Sequence, residues 1–188
     1  MMKRTIALLG CALALSACTQ VMTATTESPV QDDPGTRSLG SYIDDEIIET
    51  KVIVNIRKTS PELEESHLSA VSHNGIVLLT GQTATESLRQ QAEEIAAAVK
   101  KVRKVHNEVT VGPNSTMGMR GNDTWITTKV KSKLSLDNTL DASRIKVVTE
   151  SGVVYLMGLV SSAEAEKASQ IASQTSGVQK VVRVFEYY

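Results

Sequence analysis

Gly75-Ile-Val-Leu-Leu-Thr-Gly81 and Gly152-Val-Val-Tyr-Leu-Met-Gly158 are one phrase written twice, 77 residues apart. Each is a continuous apolar run of strand length with glycine at both ends, the pattern of a strand covered on both sides or central in a small sheet. Asn74-Gly75 and Ser151-Gly152 open the two runs with dipeptides that tolerate the positive φ of a tight hairpin. Alternating strands are expected just before these turns, from Leu68 to Ser72 and from Ile145 to Thr149.

The correspondence extends outward. Upstream, Ile48, Lys51 and Val52 answer to Ile126, Lys129 and Val130, and the stripes Ile48/Val52/Ile56 and Ile126/Val130/Leu134 each mark one face of a helix. Downstream, with one residue of slip, Ala92, Ile95 and Val102 answer to Ala168, Ile171 and Val178. The second helix is expected to open with a capping box in both copies, Thr83 with Glu86 and Ser161 with Glu164. A last strand follows, Arg103 to Val111 or Gln179 to Tyr187, with Val105, Val109, Val181 and Phe185 facing in. Crossing over through a helix makes it parallel to the second strand. The fold class is therefore α+β: two tandem αββαβ units, each a small three-stranded sheet packed against two helices.

The chain has 188 residues, of which 41% are apolar but only 3% aromatic, so its cores must be built from Val, Ile, Leu and Ala. Lys3-Arg4, the apolar run Ile6 to Leu15 and Leu15-Ser16-Ala17-Cys18 have the order of an export signal. That apolar run is too short to span a bilayer. Leu8-Leu9-Gly10-Cys11 is a weaker competitor, since cleavage there leaves only about five apolar residues. Losing Lys3 and Arg4 lowers the basic count from 20 to 18 against 21 acids, a mature charge of about −3 that disfavours nucleic acid as a partner. From Thr19 to about Ser41 the chain is rich in Thr, Ser, Pro and Asp and reads as a flexible tether. The expected organisation is a signal at 1–17, Cys18 and the tether at 18–41, a first domain at 42–112, a linker at 113–121 and a second domain at 122–188.

Two resemblances rest on these residues. Leu15-Ser16-Ala17-Cys18 resembles the lipobox of bacterial lipoproteins, which implies a covalent lipid on Cys18 and no other cofactor; Thr19 after it implies outer-membrane sorting in enteric-type bacteria. The repeated phrase, with its capped helix and valine-rich strand, resembles the BON domain of bacterial envelope proteins, from about residue 43 to the end. Lipobox, tether and two copies together resemble dual-BON outer-membrane lipoproteins. That resemblance implies a non-enzymatic envelope-integrity factor facing the periplasm, binding anionic phospholipid through its second domain and gathering at division sites.

The first helix of the second copy carries the candidate site. Around Ile126, Val130 and Leu134, helical geometry puts Trp125, Thr128, Lys129 and Ser132 on the outer side with Lys131 and Lys133 on the flanks. An outward indole beside ammonium groups suits a membrane surface, the ring at the headgroup boundary and the lysines on anionic phosphates such as those of phosphatidylglycerol or cardiolipin. Met117-Gly118-Met119, just before it in a stretch that reads as a loop, suits either a lipid-facing patch or a domain interface. Two other readings stand beside this one: Trp125 as a hot spot for a protein partner, such as outer-membrane assembly machinery, or Trp125 sealing the contact between copies.

Charge separates the copies. Residues 44–112 hold 8 basic against 11 acidic side chains, and residues 120–188 hold 9 against 7. The second copy is thus the one suited to anionic lipid, and the first a spacer or protein-contact surface. His67, His73 and His106 lack paired metal-ligand spacing and read as exposed polar positions on small sheets. Neither a nucleophile elbow nor a phosphate-binding glycine loop is present, so catalysis is the least favoured class.

Overall fold

The computed structural model describes residues 37–188; the signal, Cys18 and the tether up to residue 36 lie outside the described residues. The first copy runs α1 (Leu39–Thr59), α2 (Pro61–Glu65), β1 (His67–His73), β2 (Ile76–Thr83), α3 (Glu86–Ala97), β3 (Lys104–Asn107) and β4 (Thr110–Val111). The second runs α4 (Met117–Leu136), a 3-10 turn at Ala142–Arg144, β5 (Lys146–Glu150), β6 (Val153–Val160), α5 (Ser162–Ser173) and β7 (Lys180–Tyr187). β1 pairs antiparallel with β2 and β5 with β6, while β3, β4 and β7 join the far side of β2 or β6 in parallel. The glycine-bounded strand is therefore the centre of each sheet.

The hairpin needs its turn residues. Asn74 and Gly75 have φ of 51° and 76°, and Ser151 and Gly152 have 50° and 77°, the paired positive values of a two-residue loop. The closing glycines answer to close approach instead: a Cβ on Gly81 would lie 1.9 Å from the His67 carbonyl oxygen, and one on Gly158 2.3 Å from that of Arg144.

Period two along the central strand sends alternate residues to two different cores. Val77 and Leu79 pack with Ile48, Val52, Ile56 and Ala92, and Val154 and Leu156 pack with Ile126, Val130, Leu134 and Ala168. The opposite faces of the sheets meet each other: Ile76 and Leu78 pack against Tyr155, Met157 and Val184. The order of layers is helices, sheet, sheet, helices, which is why both runs are apolar without interruption. Ion pairs and hydrogen bonds close the rim of this shared core: Lys146 to Glu49 at 2.7 Å, Arg103 to Glu186 at 2.6 Å, and the Gln82 amide to the Glu150 carboxylate at 2.7 Å. Burial, with Glu108 and Glu150 nearby, pushes the Tyr155 phenol up to about 12.

Five expectations need correction. α1 begins at Leu39, within the expected tether, and α4 at Met117, within the expected linker. Composition reads Met117 to Asn122 as loop, but the Thr116 hydroxyl accepts from the Met119 amide at 3.3 Å and starts the helix there. In the first copy the capping box is absent: Thr83 ends β2, and Thr85 caps α3 through the Leu88 amide at 3.3 Å. The last strand of that copy is broken in two at Glu108 and Val109, where the Asn107 side chain accepts from the Val109 amide at 3.2 Å. Finally, His73 is only 5% exposed, with Arg37 3.4 Å from its ring and Lys146 and Glu186 of the second copy nearby, and burial first, then Arg37, lowers its pKa to about 4.

Candidate functional site

α4 is held by three buried apolar side chains one turn apart, Ile126, Val130 and Leu134, and by one buried carboxylate. Asp123, 5% exposed, accepts from the Ser151 and Gly152 amides at 2.8 Å each, so the helix is bolted to the hairpin turn. These four contacts fix which side faces out. That side carries Trp125, 61% exposed, with Thr128 and Ser132 exposed beside it. Met117, Met119 and Leu136 are also exposed, while Gly118 and Gly121 flatten the first turns of the helix. Neither Met117 nor Met119 belongs to the buried apolar core between the copies.

Leu136 escaped the sequence reading, and its signal is spacing. Eleven residues after Trp125 is three helical turns, so the two apolar side chains share the outer face.

The cations are not equivalent. Lys129 lies with its ammonium 5.9 Å from the centre of the indole ring and donates to the Ser176 carbonyl. Lys133 donates to the Gln174 carbonyl at 3.3 Å. Both therefore sit on carbonyls at the C-terminal end of α5, where the helix dipole favours positive charge. Lys131 is exposed on the opposite flank, and among the described residues it has no hydrogen bond or ion pair. It borders a groove of about 570 Å³ that Arg120, Thr124, Thr127 and Lys146 also line. Thr128 spends its proton on the Thr124 carbonyl at 2.9 Å, which leaves its oxygen free only as an acceptor. The arrangement offers an apolar ridge with positive charge on both sides, and it holds no nucleophile activated by a base. No group of three or more potential ligands that could hold a metal ion occurs among the described residues, and no helix among them is long and apolar enough to cross a membrane.

Comparison with known proteins agrees with the duplicated architecture. The BON domain profile matches residues 44–113 and again 122–187. The chain is 38% identical to the outer membrane lipoprotein DolP of Haemophilus influenzae, over 99% of this chain and 96% of that protein. It is 39% identical to a 21 kDa hemolysin of Actinobacillus pleuropneumoniae, over 80% of this chain and 78% of the relative. It is also 29% identical to the osmotically-inducible protein Y of Escherichia coli, over 84% of this chain and 80% of the relative.

Proposed function

This chain belongs to the BON-domain family as a two-copy outer-membrane lipoprotein, and from that premise we propose that its second copy docks on anionic phospholipid through the outer face of α4. The observation that carries the reading is the 61% exposed indole of Trp125, on a helix whose remaining large side chains are either core or, like Met117 and Leu136, exposed with it. Trp125 settles at the headgroup boundary, Met117 and Met119 reach the acyl border with Gly118 between them, and Lys129, Lys131 and Lys133 meet phosphates. Ser132 donates to a headgroup oxygen and Thr128 accepts from a headgroup hydroxyl. Each Lys near an anionic surface contributes about 1 kcal/mol, so the contact is weak alone. A lipid on Cys18 keeps the domain at the surface, where a weak second contact is sufficient. The role is non-catalytic: support of outer-membrane integrity, with division sites as its place of action.

The test uses unlipidated protein and vesicles of phosphatidylglycerol or cardiolipin against phosphatidylcholine. Binding is expected only to the anionic vesicles, and Trp125→Ala is expected to remove most of it. Unchanged binding by that variant would move the site elsewhere.

One observation favours a protein partner instead, in the manner of docking on outer-membrane assembly machinery. Lys129 and Lys133 already donate to backbone carbonyls, which reduces the charge they offer to phosphate. That reading expects crosslinking of a protein at position 125 and indifference to lipid charge.

A further inference from the structure

α1 occupies in the first copy the place that α4 occupies in the second, and its outer face is also left uncovered. Tyr42, Ile43, Ile47 and Val54 are 55%, 58%, 45% and 49% exposed, and a shallow apolar groove of about 390 Å³ runs between Tyr42 and Lys51. At 100° per residue, Ile43, Ile47, Thr50 and Val54 form one stripe, spaced 4, 3 and 4 residues apart. That is the a/d spacing of a coiled-coil seam. Glu46 and Lys51 fall symmetrically on the two sides of the stripe, five residues apart, and both are exposed. Among the described residues neither charge has an ion-pair partner.

We propose that this face pairs with α1 of a second copy of the same chain, as a short parallel two-helix seam. In a parallel pair with two-fold symmetry, the residue before one a position lies opposite the residue five places further on in the partner helix. Glu46 of each copy then meets Lys51 of the other, so one interface holds two identical ion pairs flanking Ile43, Ile47 and Val54. An antiparallel pair would instead set Glu46 against Ile53 of the partner helix and lose that match. The direction agrees with the chain's attachment. Twenty residues separate Cys18 from Leu39, and a parallel pair sends both of these segments away from the same end, towards one membrane. One helix face is small beside the roughly 800 Å² per partner of a standard interface. Pairing is therefore weak in free solution and becomes populated when acyl anchors confine the copies to a surface.

The decisive experiment uses the full lipidated chain in vesicles of phosphatidylcholine only, so that it does not depend on the anionic contact proposed for α4. Two populations carrying donor and acceptor dyes at Ser173→Cys are mixed, and energy transfer is followed against surface density. Transfer above that of randomly placed anchors is expected for the natural sequence. Glu46→Lys and Lys51→Glu alone each lower the pairing constant about five-fold, because each replaces two attractive pairs with two repulsive ones. The double exchange restores it, which no structural defect would do. Ile47→Cys is also expected to form a symmetric disulfide with its own copy, and Asn55→Cys is not. Random transfer in the natural sequence, failure of the double exchange to restore it, or crosslinking of position 47 to lipid or to a different protein would each overturn the proposal.

Discussion

α1 and α4 bury the same stripe at the same positions, Ile48, Val52 and Ile56 against Ile126, Val130 and Leu134, and each bolts its hairpin through a buried carboxylate. Their outer faces share Thr50 with Thr128 and Lys51 with Lys129 but differ around them. Where α4 shows Trp125, Ser132 and Lys133, α1 shows Ile47, Val54 and Asn55. The inner face is set by the fold and repeats because the same sheet lies under it. The outer face meets little of its own copy beyond the Ser176 and Gln174 carbonyls under Lys129 and Lys133, so the architecture constrains it only weakly, and it is where the two copies diverge.

The comparison can be broken most forcefully at the shared carboxylate. Asp45 accepts from the Ser72 hydroxyl at 2.6 Å, from the Asn74 and Gly75 amides at 2.8 and 2.9 Å, and from Arg37. Burial pushes its pKa up, but those bonds together hold it below the usual carboxylate value. Among the described residues Asp123 has only the two amide partners of its turn. Asp45→Ala is expected to cost roughly 4 kcal/mol, since it strands a partly buried guanidinium as well as amides. Asp123→Ala is expected to cost roughly 2 kcal/mol. Urea denaturation of the two variants measures both, and equal losses would mean that the extra partners of Asp45 contribute nothing.

A second difference is pH. Position 73 of the first copy is a buried histidine, whereas its counterpart in the second is Glu150, which holds Gln82. With His73 lowered to about 4 in the folded protein, the unfolded chain takes up a proton first as pH falls through 6.5. Stability from this group is complete above that value and is lost progressively towards pH 4, by up to roughly 3 kcal/mol. His73→Gln should flatten denaturation midpoints between pH 7 and 4.5; an unchanged slope would show that the ring is protonated without cost.

The outer faces supply the smaller effects. Trp125→Ala is expected to weaken binding to phosphatidylglycerol vesicles about ten-fold, a loss of about 1.4 kcal/mol, while Ile47→Ala leaves it within two-fold. Vesicle co-sedimentation reads both. The smallest effect sharpens the contrast from the other side: Ile47→Trp with Asn55→Lys copies part of α4 onto α1 and should raise binding by about two- to three-fold. Loss of binding in that double variant would mean that α1 cannot reach the bilayer.

Much of this was legible beforehand, because periodicity encodes which side of an element is covered. The stripe around Ile126 places Trp125 outside without reference to any other part of the chain. What stayed hidden depends on contacts between distant parts. Asp45 and Asp123 each stand three residues before the core stripe, which the repeat could have exposed, but acids near the start of a helix read as dipole partners. His73 sits on a strand that alternates as though one side were wet, and it is Arg37 together with Lys146 and Glu186 of the second copy that surround its ring. The early starts of α1 and α4 were missed because glycine and serine content outweighed a single capping hydroxyl.

The sheet-to-sheet core formed by Ile76, Leu78, Tyr155, Met157 and Val184 has a consequence for how such a protein can be divided. Expressed separately, either half would present a bare oily wall to water, so a lone copy should cluster or capture another half in place of its lost twin. Within this chain the heritable unit is the couple, each member serving as the other's lining.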